Sequence, residues 1–235
     1  MQSASFRTGG KETVTWFEHY TVWCPCFCPR AYHAAVWESR QDAAPLPAIT
    51  FLTQDEVRRL FAVITSKRDR ALFQLAYHHG LRASEVSLLQ RADVHEKEGR
   101  IYIPRVKGSI AKTYPLQPED LRLVRAYLRT REDNSPYLFI STRGIPLERR
   151  SYWDLMQKYG KQAALPTAKR HFHALRHAIA VHLLDAGADV AFVQDRLGHA
   201  NIQNTIIYMR YTTVTRDAQT RQFLASPKNW RNFLR

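Results

Sequence analysis

The chain has 235 residues, of which 45% are hydrophobic and 24% are charged, a composition that excludes a disordered or fibrous protein. Thirty-five Lys and Arg residues against 21 Asp and Glu give a net charge of +14, and this surplus favours a polyanionic partner, most often a nucleic acid. No apolar run is long enough to cross a bilayer and no leader opens the chain, so the sequence predicts a soluble intracellular protein with no membrane partner.

Residues 1–48 differ from the rest of the chain. They contain all three cysteines, Cys24, Cys26 and Cys28, and show no helical apolar period. With His33 these cysteines raise the alternative of a zinc site, but Cys-x-Cys-x-Cys spacing suits a tetrahedral site poorly. We therefore predict no metal site and interpret residues 1–48 as an N-terminal arm or extension. Because residues 1–50 carry four basic and four acidic side chains, the whole positive charge lies in the remainder.

Regular secondary structure is predicted from Thr53 onwards. Thr53 and Glu56 form a capping box that opens the first helix. A second helix is predicted over residues 69–79 and ends at Gly80, and a short helix begins at Ser84. The apolar face of the first helix repeats at helical spacing: Val57, Leu60, Phe61 and Ile64.

The middle of the chain contains the predicted strands. RIYIPRV (100–106) and KTYPL (112–116) alternate as strands do and are joined by a turn at residues 107–109. Pro118 begins a further helix, YLFIS is a short extended piece, and another helix covers residues 151–163. The inward residues predicted for the helix after Pro118 are Leu121, Val124, Tyr127 and Leu128. The predicted fold class is mainly α with a small antiparallel β-sheet.

Polar residues are concentrated after position 171, in HFHALRHAIAVHLLDAGADVAFVQDRLGHANIQNTIIY. In the first helix of this stretch an apolar stripe is predicted to be buried, while His173 and Arg176 are presented from another side. Asp189 caps the next helix and Gly198 ends it, which places His199 at a turn. The predicted stripe is Leu175, Ile179 and Leu183, and Tyr208 follows on a final helix.

HALRH and LGHANIQNTIIY, with GLRASE far upstream, resemble the motifs of the tyrosine recombinases, also called phage-type integrases. The motifs follow the order and spacing of that family over residues 50–212. The resemblance implies the tyrosine recombinase catalytic-domain fold over residues 49–212. Residues 213–235 are then a C-terminal tail that either docks on a neighbouring protomer or folds back on its own domain.

The resemblance also implies the site residues. Tyr208 corresponds to the nucleophile and Glu85 to a supporting acidic residue. Lys107 corresponds to a hairpin lysine, for which Lys112 is the alternative. Tyr211 is a competing nucleophile, but Thr205 in the T-x-x-Y setting and the distance from the second histidine favour Tyr208. The remaining catalytic positions are Arg82, His173, Arg176 and His199.

These residue types suit the cleavage of DNA by attack on phosphorus. Two guanidiniums, Arg82 and Arg176, can hold the charge that develops on the phosphate oxygens. A phenol with a pKa of about 10 needs a proton acceptor, for which His173 is the candidate, while His199 would contact the phosphate and Lys107 would protonate the leaving 5′ oxygen. This chemistry needs no cofactor and no metal.

The implied function is site-specific DNA recombination through a covalent 3′-phosphotyrosyl intermediate. The implied partner is double-stranded DNA with specific recombination sites, bound by a tetramer, in a cytoplasmic, nucleoid-associated setting. Residues 1–48 do not resemble the core-binding domain that family members commonly carry, so the chain is nearest in size to the fimbrial phase-switch invertases, and both inversion and integration or excision stay open. The alternatives are relaxation of DNA like that of a type IB topoisomerase, and a catalytically impaired DNA-binding remnant.

Overall fold

A computed structural model describes residues 49–106 and 109–212 together with 217, 220 and 221. The N-terminal arm with its cysteines, Lys107 and most of the C-terminal tail lie outside the described residues. In chain order the α-helices are α1 Gln54–Val63, α2 Lys67–His78, α3 Ala83–Leu88, α4 Pro118–Leu128, α5 Arg149–Gln162, α6 His173–Asp185, α7 Val190–Leu197 and α8 Gln203–Ile206. The strands are β1 Val94–His95, β2 Arg100–Ile103 and β3 Lys112–Pro115, and short 3₁₀ helices cover Arg91–Asp93, Thr167–Lys169 and Ile207–Tyr211.

The capping box predicted at the start of α1 is confirmed. The backbone N–H of Glu56 donates to the hydroxyl of Thr53 at 3.2 Å, and the Glu56 carboxylate accepts from the backbone N–H of Thr53 at 2.7 Å. Two of the four orphan N–H groups of the helix are thereby satisfied. All four residues of the predicted apolar face are buried.

The junction between α2 and α3 depends on Gly80. This residue has φ +57, a left-handed conformation that L side chains rarely adopt. The backbone N–H groups of Gly80 and Leu81 donate back to Tyr77 at 3.2 Å and Ala76 at 2.9 Å, so the last carbonyls of α2 are paired. The chain turns sharply there, and Arg82 emerges at the start of α3.

The sheet has three antiparallel strands in the order β1-β2-β3. Ile101 pairs with Val94 on one side and with Tyr114 on the other, and all three side chains are buried. The two-residue strand β1 was not predicted because it is too short to show alternation. The YLFIS segment forms isolated bridges at Tyr137 and Ile140 instead of a strand.

Helix α6 runs through the interior, and the prediction that it buries a single stripe was wrong. Leu175 and Ile179 are buried as expected, and Leu183 of the predicted stripe is only partly buried. Residues on the other sides of the helix are buried as well: Ala174, Arg176, Ala178, Ala180, Val181 and Leu184. The helix is apolar nearly all round because neighbouring elements cover it on several sides. Arg176 is therefore enclosed by protein, whereas His173 at the start of the helix is exposed as predicted.

Among the described residues, no helix combines the length and the apolar character required to span a bilayer.

Candidate active site

A single carboxylate, that of Glu85, lies among three guanidiniums. It accepts from Arg82 Nη1 and from Arg105 Nη1, each at 2.8 Å, and lies 3.9 Å from Arg176 Nη1. It also accepts from the backbone N–H of Arg82 at 2.8 Å. The side chains of Glu85 and Arg105 are fully enclosed, whereas Arg82 is 30% exposed. Three positive charges around one negative charge leave an excess that favours an anion at the exposed edge.

Arg176 is held from below by backbone carbonyls. It is buried in α6, and it donates to the carbonyl of Gly80 and, at 2.9 Å, to that of Leu197. Burial and the neighbouring Arg82 lower the pKa of Arg176, yet a guanidinium remains protonated at neutral pH. The two arginines that the sequence predicts for the site, 94 positions apart in GLRASE and HALRH, are thus brought together by Glu85 and by the turn at Gly80.

His199 is placed by the end of α7. Gly198 adopts φ +69 and ends the helix as predicted. The next residue, His199, is buried, and its Nδ1 lies 2.9 Å from the hydroxyl of Thr205. The backbone of His199 also forms a bridge with Ser109, whose hydroxyl accepts from Arg82 Nη1 at 3.0 Å. The imidazole is therefore held by Thr205, and the backbone that carries it is fixed by the turn at Gly198 and by the hairpin.

Tyr208 points into the protein from the 3₁₀ helix Ile207–Tyr211. It is 2% exposed, and its hydroxyl lies 2.9 Å from Nδ1 of His177. Burial raises the pKa of the Tyr208 phenol, while Arg176 and Arg82 oppose that rise. Both arginines are therefore close enough to act on the phenol electrostatically. The sequence predicted that Tyr208 lies on a final helix, and in the structure this helix is a 3₁₀ helix.

Three imidazoles of the site are neutral at pH 7. Partial desolvation and the nearby Arg176 and Arg82 lower the pKa of His173 to about 4, although His173 is exposed at the surface. Desolvation and neighbouring charges lower the pKa of both His177 and His199 to about 3. A neutral imidazole can accept a proton or a hydrogen bond. The rings of His173 and His177 meet edge to face at 4.5 Å.

The two residues that the sequence offered as alternatives, Lys112 and Tyr211, form contacts outside the cluster around Glu85. Lys112 in β3 forms an ion pair with Asp195. Tyr211 is 37% exposed, and its hydroxyl accepts from the backbone N–H of Ile49 at 2.7 Å. Its ring packs against Phe51 at 5.3 Å. These contacts draw Tyr211 away from the arginines towards the start of the described chain.

A cavity of about 730 Å³ opens beside Arg82 and His173. Aromatic side chains of α5, Tyr152 and Trp153, form part of its wall, and Trp153 is 46% exposed. Within residues 49–106 and 109–212 there is no group of three or more His, Cys, Asp or Glu side chains arranged to hold a metal ion.

Comparison with known proteins identifies the family. The model of the phage integrase family matches residues 50–214. The chain belongs to the phage integrase family. Its catalytic-domain fold is that of the tyrosine recombinases: the crystal structure of XerA recombinase superposes with a TM-score of 0.67 at 25% identity, covering 81% of this chain and 73% of that one.

Two curated relatives represent different members of the family. Tyrosine recombinase XerA of Pyrococcus horikoshii is 38% identical over 165 residues, which is 69% of this chain and 57% of the relative. The type 1 fimbriae regulatory protein FimE of Escherichia coli is 35% identical over 167 residues, 67% of this chain and 84% of the relative. The match thus spans little more than half the length of XerA. XerH site-specific recombinase, solved in a post-cleavage complex with a palindromic difH substrate, shares the fold at a TM-score of 0.65 and 22% identity, covering 76% of this chain and 54% of that one.

Two residues that contact the site of this integrase-family chain were missed by the sequence prediction. His177 touches the Tyr208 hydroxyl, and Arg105 touches Glu85. His177 is the second histidine of HALRH, so its place one residue after Arg176 was a usable signal. Arg105 follows a strand in RIYIPRV and has no local pattern that sets it apart from the other arginines.

Proposed function

We propose that this chain is a site-specific DNA recombinase that cleaves and rejoins strands through a 3′-phosphotyrosyl link to Tyr208. The observation that carries the proposal is the cluster in which Glu85 brings the guanidiniums of Arg82 and Arg176 together, in a protein whose Tyr208 phenol is buried and has its pKa rise opposed by both arginines. Attack on phosphorus needs a nucleophile and fixed positive charge, and a preorganised donor of this kind is typically worth about 10²–10³ in rate. Membership of the phage integrase family supports the same conclusion.

The roles follow from the chemistry of each group. Arg82 and Arg176 bind the non-bridging oxygens of the scissile phosphate, where their planar forks suit two oxygens at once. His199, fixed by Thr205, hydrogen-bonds the same phosphate. Glu85 carries no part of the reaction itself and orients Arg82.

Proton transfer involves the remaining groups. The phenolic proton passes to His173 as the Tyr208 oxygen bonds to phosphorus, and the bond from phosphorus to the 5′ oxygen breaks. Lys107 supplies a proton to that oxygen, so charge does not accumulate on the leaving group. Attack of a 5′ hydroxyl on the phosphotyrosine reverses these steps and rejoins a strand. His177 holds the phenol before DNA binds.

The organisation of the chain is part of the proposal. Residues 49–212 act as the catalytic domain, residues 1–48 as an extension, and residues 213–235 dock on a neighbouring protomer of a tetramer on DNA with specific sites. The proposed substrate is double-stranded DNA, and with it the proposal includes association with the nucleoid in the cytoplasm. The extent of similarity to FimE favours inversion of a DNA segment over integration or excision.

The test is covalent capture. The full chain is incubated with sheared DNA of the source organism, denatured, and separated so that only covalently attached DNA is retained and sequenced. We expect a small number of recurrent sequences joined to Tyr208, located by mass spectrometry of the modified peptide. Tyr208→Phe should reduce the adduct below detection because no oxygen remains to attack phosphorus, and Tyr211→Phe should retain it.

The other outcomes identify the alternatives. An adduct that persists in Tyr208→Phe and disappears in Tyr211→Phe would identify Tyr211 as the nucleophile. Adducts without recurrent sequence, together with relaxation of a plasmid that carries no repeat, would indicate a type IB topoisomerase. DNA binding without any adduct would indicate a DNA-binding remnant.

A further inference from the structure

Arg105 joins three elements of the site from a fully enclosed position. It lies two residues beyond β2, and its side chain is 0% exposed. Nη1 donates to Glu85 at 2.8 Å, and Nη2 donates to the carbonyls of Arg196 at 2.7 Å and His79 at 3.3 Å. One guanidinium therefore connects the end of α2, the first turn of α3 and the last turn of α7.

Arg176 makes a matching bridge one residue further along both elements. Arg105 donates hydrogen bonds to the carbonyls of residues 79 and 196, and Arg176 donates to those of Gly80 and Leu197. Both guanidiniums also approach the same oxygen of Glu85, at 2.8 and 3.9 Å. The ends of α2 and α7 are thus held together by two neighbouring arginines through consecutive pairs of carbonyls.

The two arginines differ in whether they can bind a DNA phosphate. Arg176 is the arginine that the proposed function assigns to the scissile phosphate, so its guanidinium has to serve phosphate oxygens as well as the carbonyls of Gly80 and Leu197. A guanidinium has five N–H donors in a fixed plane, and donors given to an anion weaken its bonds elsewhere. Arg105 has no exposed surface, so DNA cannot reach its guanidinium directly.

We infer that Arg105 is a positioning residue that keeps the ends of α2 and α7 joined while Arg176 engages the phosphate. Through Glu85 it also orients Arg82, and through the end of α7 it fixes the turn that carries His199. This inference rests on the proposed function of the same site. It assigns to Arg105 a contribution to cleavage without any contact with the DNA.

Arg105 packs closely against Gly198, in the turn that follows α7. A Cβ atom on Gly198 would lie 2.9 Å from Arg105 Nε and 3.2 Å from its Cδ. The absence of a side chain at this position is what lets the guanidinium reach the carbonyl of Arg196. Placement of His199, the next residue, therefore depends on the same contact.

Arg131 provides a matched control for a buried arginine with a purely architectural role. Its side chain is 3% exposed, and it pairs with Asp133. It also donates to the carbonyls of Tyr137 at 2.6 Å and Leu138 at 2.9 Å. Like Arg105, it joins one carboxylate to backbone carbonyls, with a third carbonyl, that of Ser135, at 3.4 Å, but none of its partners belongs to the site.

The first experiment compares Arg105→Lys with Arg131→Lys in the full chain. Lysine keeps the charge but cannot serve a carboxylate and two carbonyls in one plane. With a DNA duplex recovered in the capture experiment, we expect Arg105→Lys to cleave about 10²-fold more slowly at saturating DNA, the loss typical of a misplaced catalytic group. DNA affinity should stay within about threefold of the unmodified chain, because the phosphate contacts of the surface remain. Arg131→Lys should change neither quantity, and equal cleavage by the two variants would overturn the inference.

A second measurement is independent of cleavage. Binding of inorganic phosphate is followed through the imidazole NMR signals of His173 and His199. We expect Arg105→Lys to raise the dissociation constant about tenfold and Arg131→Lys to leave it unchanged, since only the former disturbs the guanidiniums around the anion. If the unmodified chain binds phosphate but forms no covalent adduct with DNA, the proposed function fails. The inference about Arg105 is then decided by the change in the phosphate dissociation constant alone. Phosphate affinity that is unaltered in Arg105→Lys overturns the inference whatever the cleavage result.

A further pair of variants applies if Arg105→Lys does not fold. Gly198→Ala displaces Arg105 without removing it, and Gly144→Ala is its control, since Gly144 has φ +76 with no atom within 4 Å of an added Cβ. A left-handed backbone is common to both glycines, whereas the close approach of an added Cβ to Arg105 is found only at Gly198. Weaker phosphate binding in Gly198→Ala alone supports the inference, and equal binding in both variants contradicts it.

Discussion

Tyr208 has its reactive oxygen paired inside the protein, and this pairing has a measurable energetic consequence. The hydroxyl has a single described partner, Nδ1 of His177 at 2.9 Å, and the residue is 2% exposed. A buried hydroxyl that loses its partner costs about 1–3 kcal/mol, whereas removal of both partners can be nearly neutral. The same bond keeps the phenol from solvent in the absence of DNA.

We predict a coupled effect of these two residues on stability. His177→Phe should lower the free energy of unfolding by about 1–3 kcal/mol, because the Tyr208 hydroxyl is left unpaired. The double variant His177→Phe with Tyr208→Phe should lose less than the sum of the single variants. Urea unfolding of the four proteins measures the coupling.

The second tyrosine–histidine pair of α6 is the control for that experiment. The Tyr77 hydroxyl lies 2.8 Å from Nδ1 of His182, which has the same chemistry outside the site. Tyr77→Phe should change stability but leave the covalent adduct with DNA intact. Strictly additive effects at His177 and Tyr208 would mean that their hydrogen bond is absent in solution.

At the scale of elements, the turn between α2 and α3 carries more constraints than any other described turn of the site. Gly80 combines φ +57 with close packing, because an added Cβ would lie 2.4 Å from Cδ2 of Leu197. Its carbonyl is also an acceptor for Arg176. The turn therefore links the first arginine of the site to the second and to the end of α7.

We predict that Gly80→Ala is much more damaging than Gly99→Ala. Gly99 has φ +60 but nothing within 4 Å of an added Cβ, so alanine there should cost about 1–2 kcal/mol from backbone strain alone. At Gly80 the clash adds about 1–3 kcal/mol because Leu197 is fully buried. Chemical denaturation gives both values, and similar losses at the two glycines would contradict the packing described for this turn.

The helices of the site were predictable from sequence, but its internal connections were not. The capping box at Thr53 and the stop at Gly198 are local signals, which depend on residues three or four positions apart. The contact of Arg105 with Arg196 joins residues 91 positions apart, and periodicity carries no information about such a pair. The burial of α6 on several sides was missed for the same reason, since the elements that cover it are distant in sequence.

The resemblance of HALRH and LGH to a known family predicted which residue types gather, but not which atoms touch. It named His173 as the partner of the phenol, and the observed contact is with His177. Both rings lie on the same face of α6, so spacing alone could not distinguish them. The distinction depends on where the 3₁₀ helix Ile207–Tyr211 packs against α6, which is a tertiary property.

At the scale of the whole molecule, buried neutral histidines link stability to pH. Desolvation lowers the pKa of His79 well below its usual range, and Arg196, His78 and Arg105 lower it further. Its ring is 0% exposed, Asp120 lies 3.8 Å away, and Tyr114 packs beside it. The site histidines behave similarly, with the pKa of His177 and His199 lowered to about 3. His177 is faced by His173, His171, Arg176 and Tyr208, and His199 by Arg82, Arg105, Arg176, His173 and Thr205.

We predict that stability falls as pH decreases from about 6.5 to about 4.5. In the unfolded chain these histidines take up protons near pH 6.5, while in the folded chain they remain neutral. The unfolded state therefore binds more protons in this window, so the free energy of unfolding rises with pH up to about 6.5 and then levels off as far as these groups are concerned. Carboxylates with a lowered pKa, such as that of Glu56, contribute only at still lower pH.

Urea unfolding between pH 4.5 and 8 tests the window. His79→Phe should make the dependence shallower, because an aromatic ring without a titrating nitrogen occupies the same buried space. A curve that stays flat from pH 6.5 to 5 would show that the buried rings take up protons as readily in the folded protein as in the unfolded chain, contrary to their lowered pKa values.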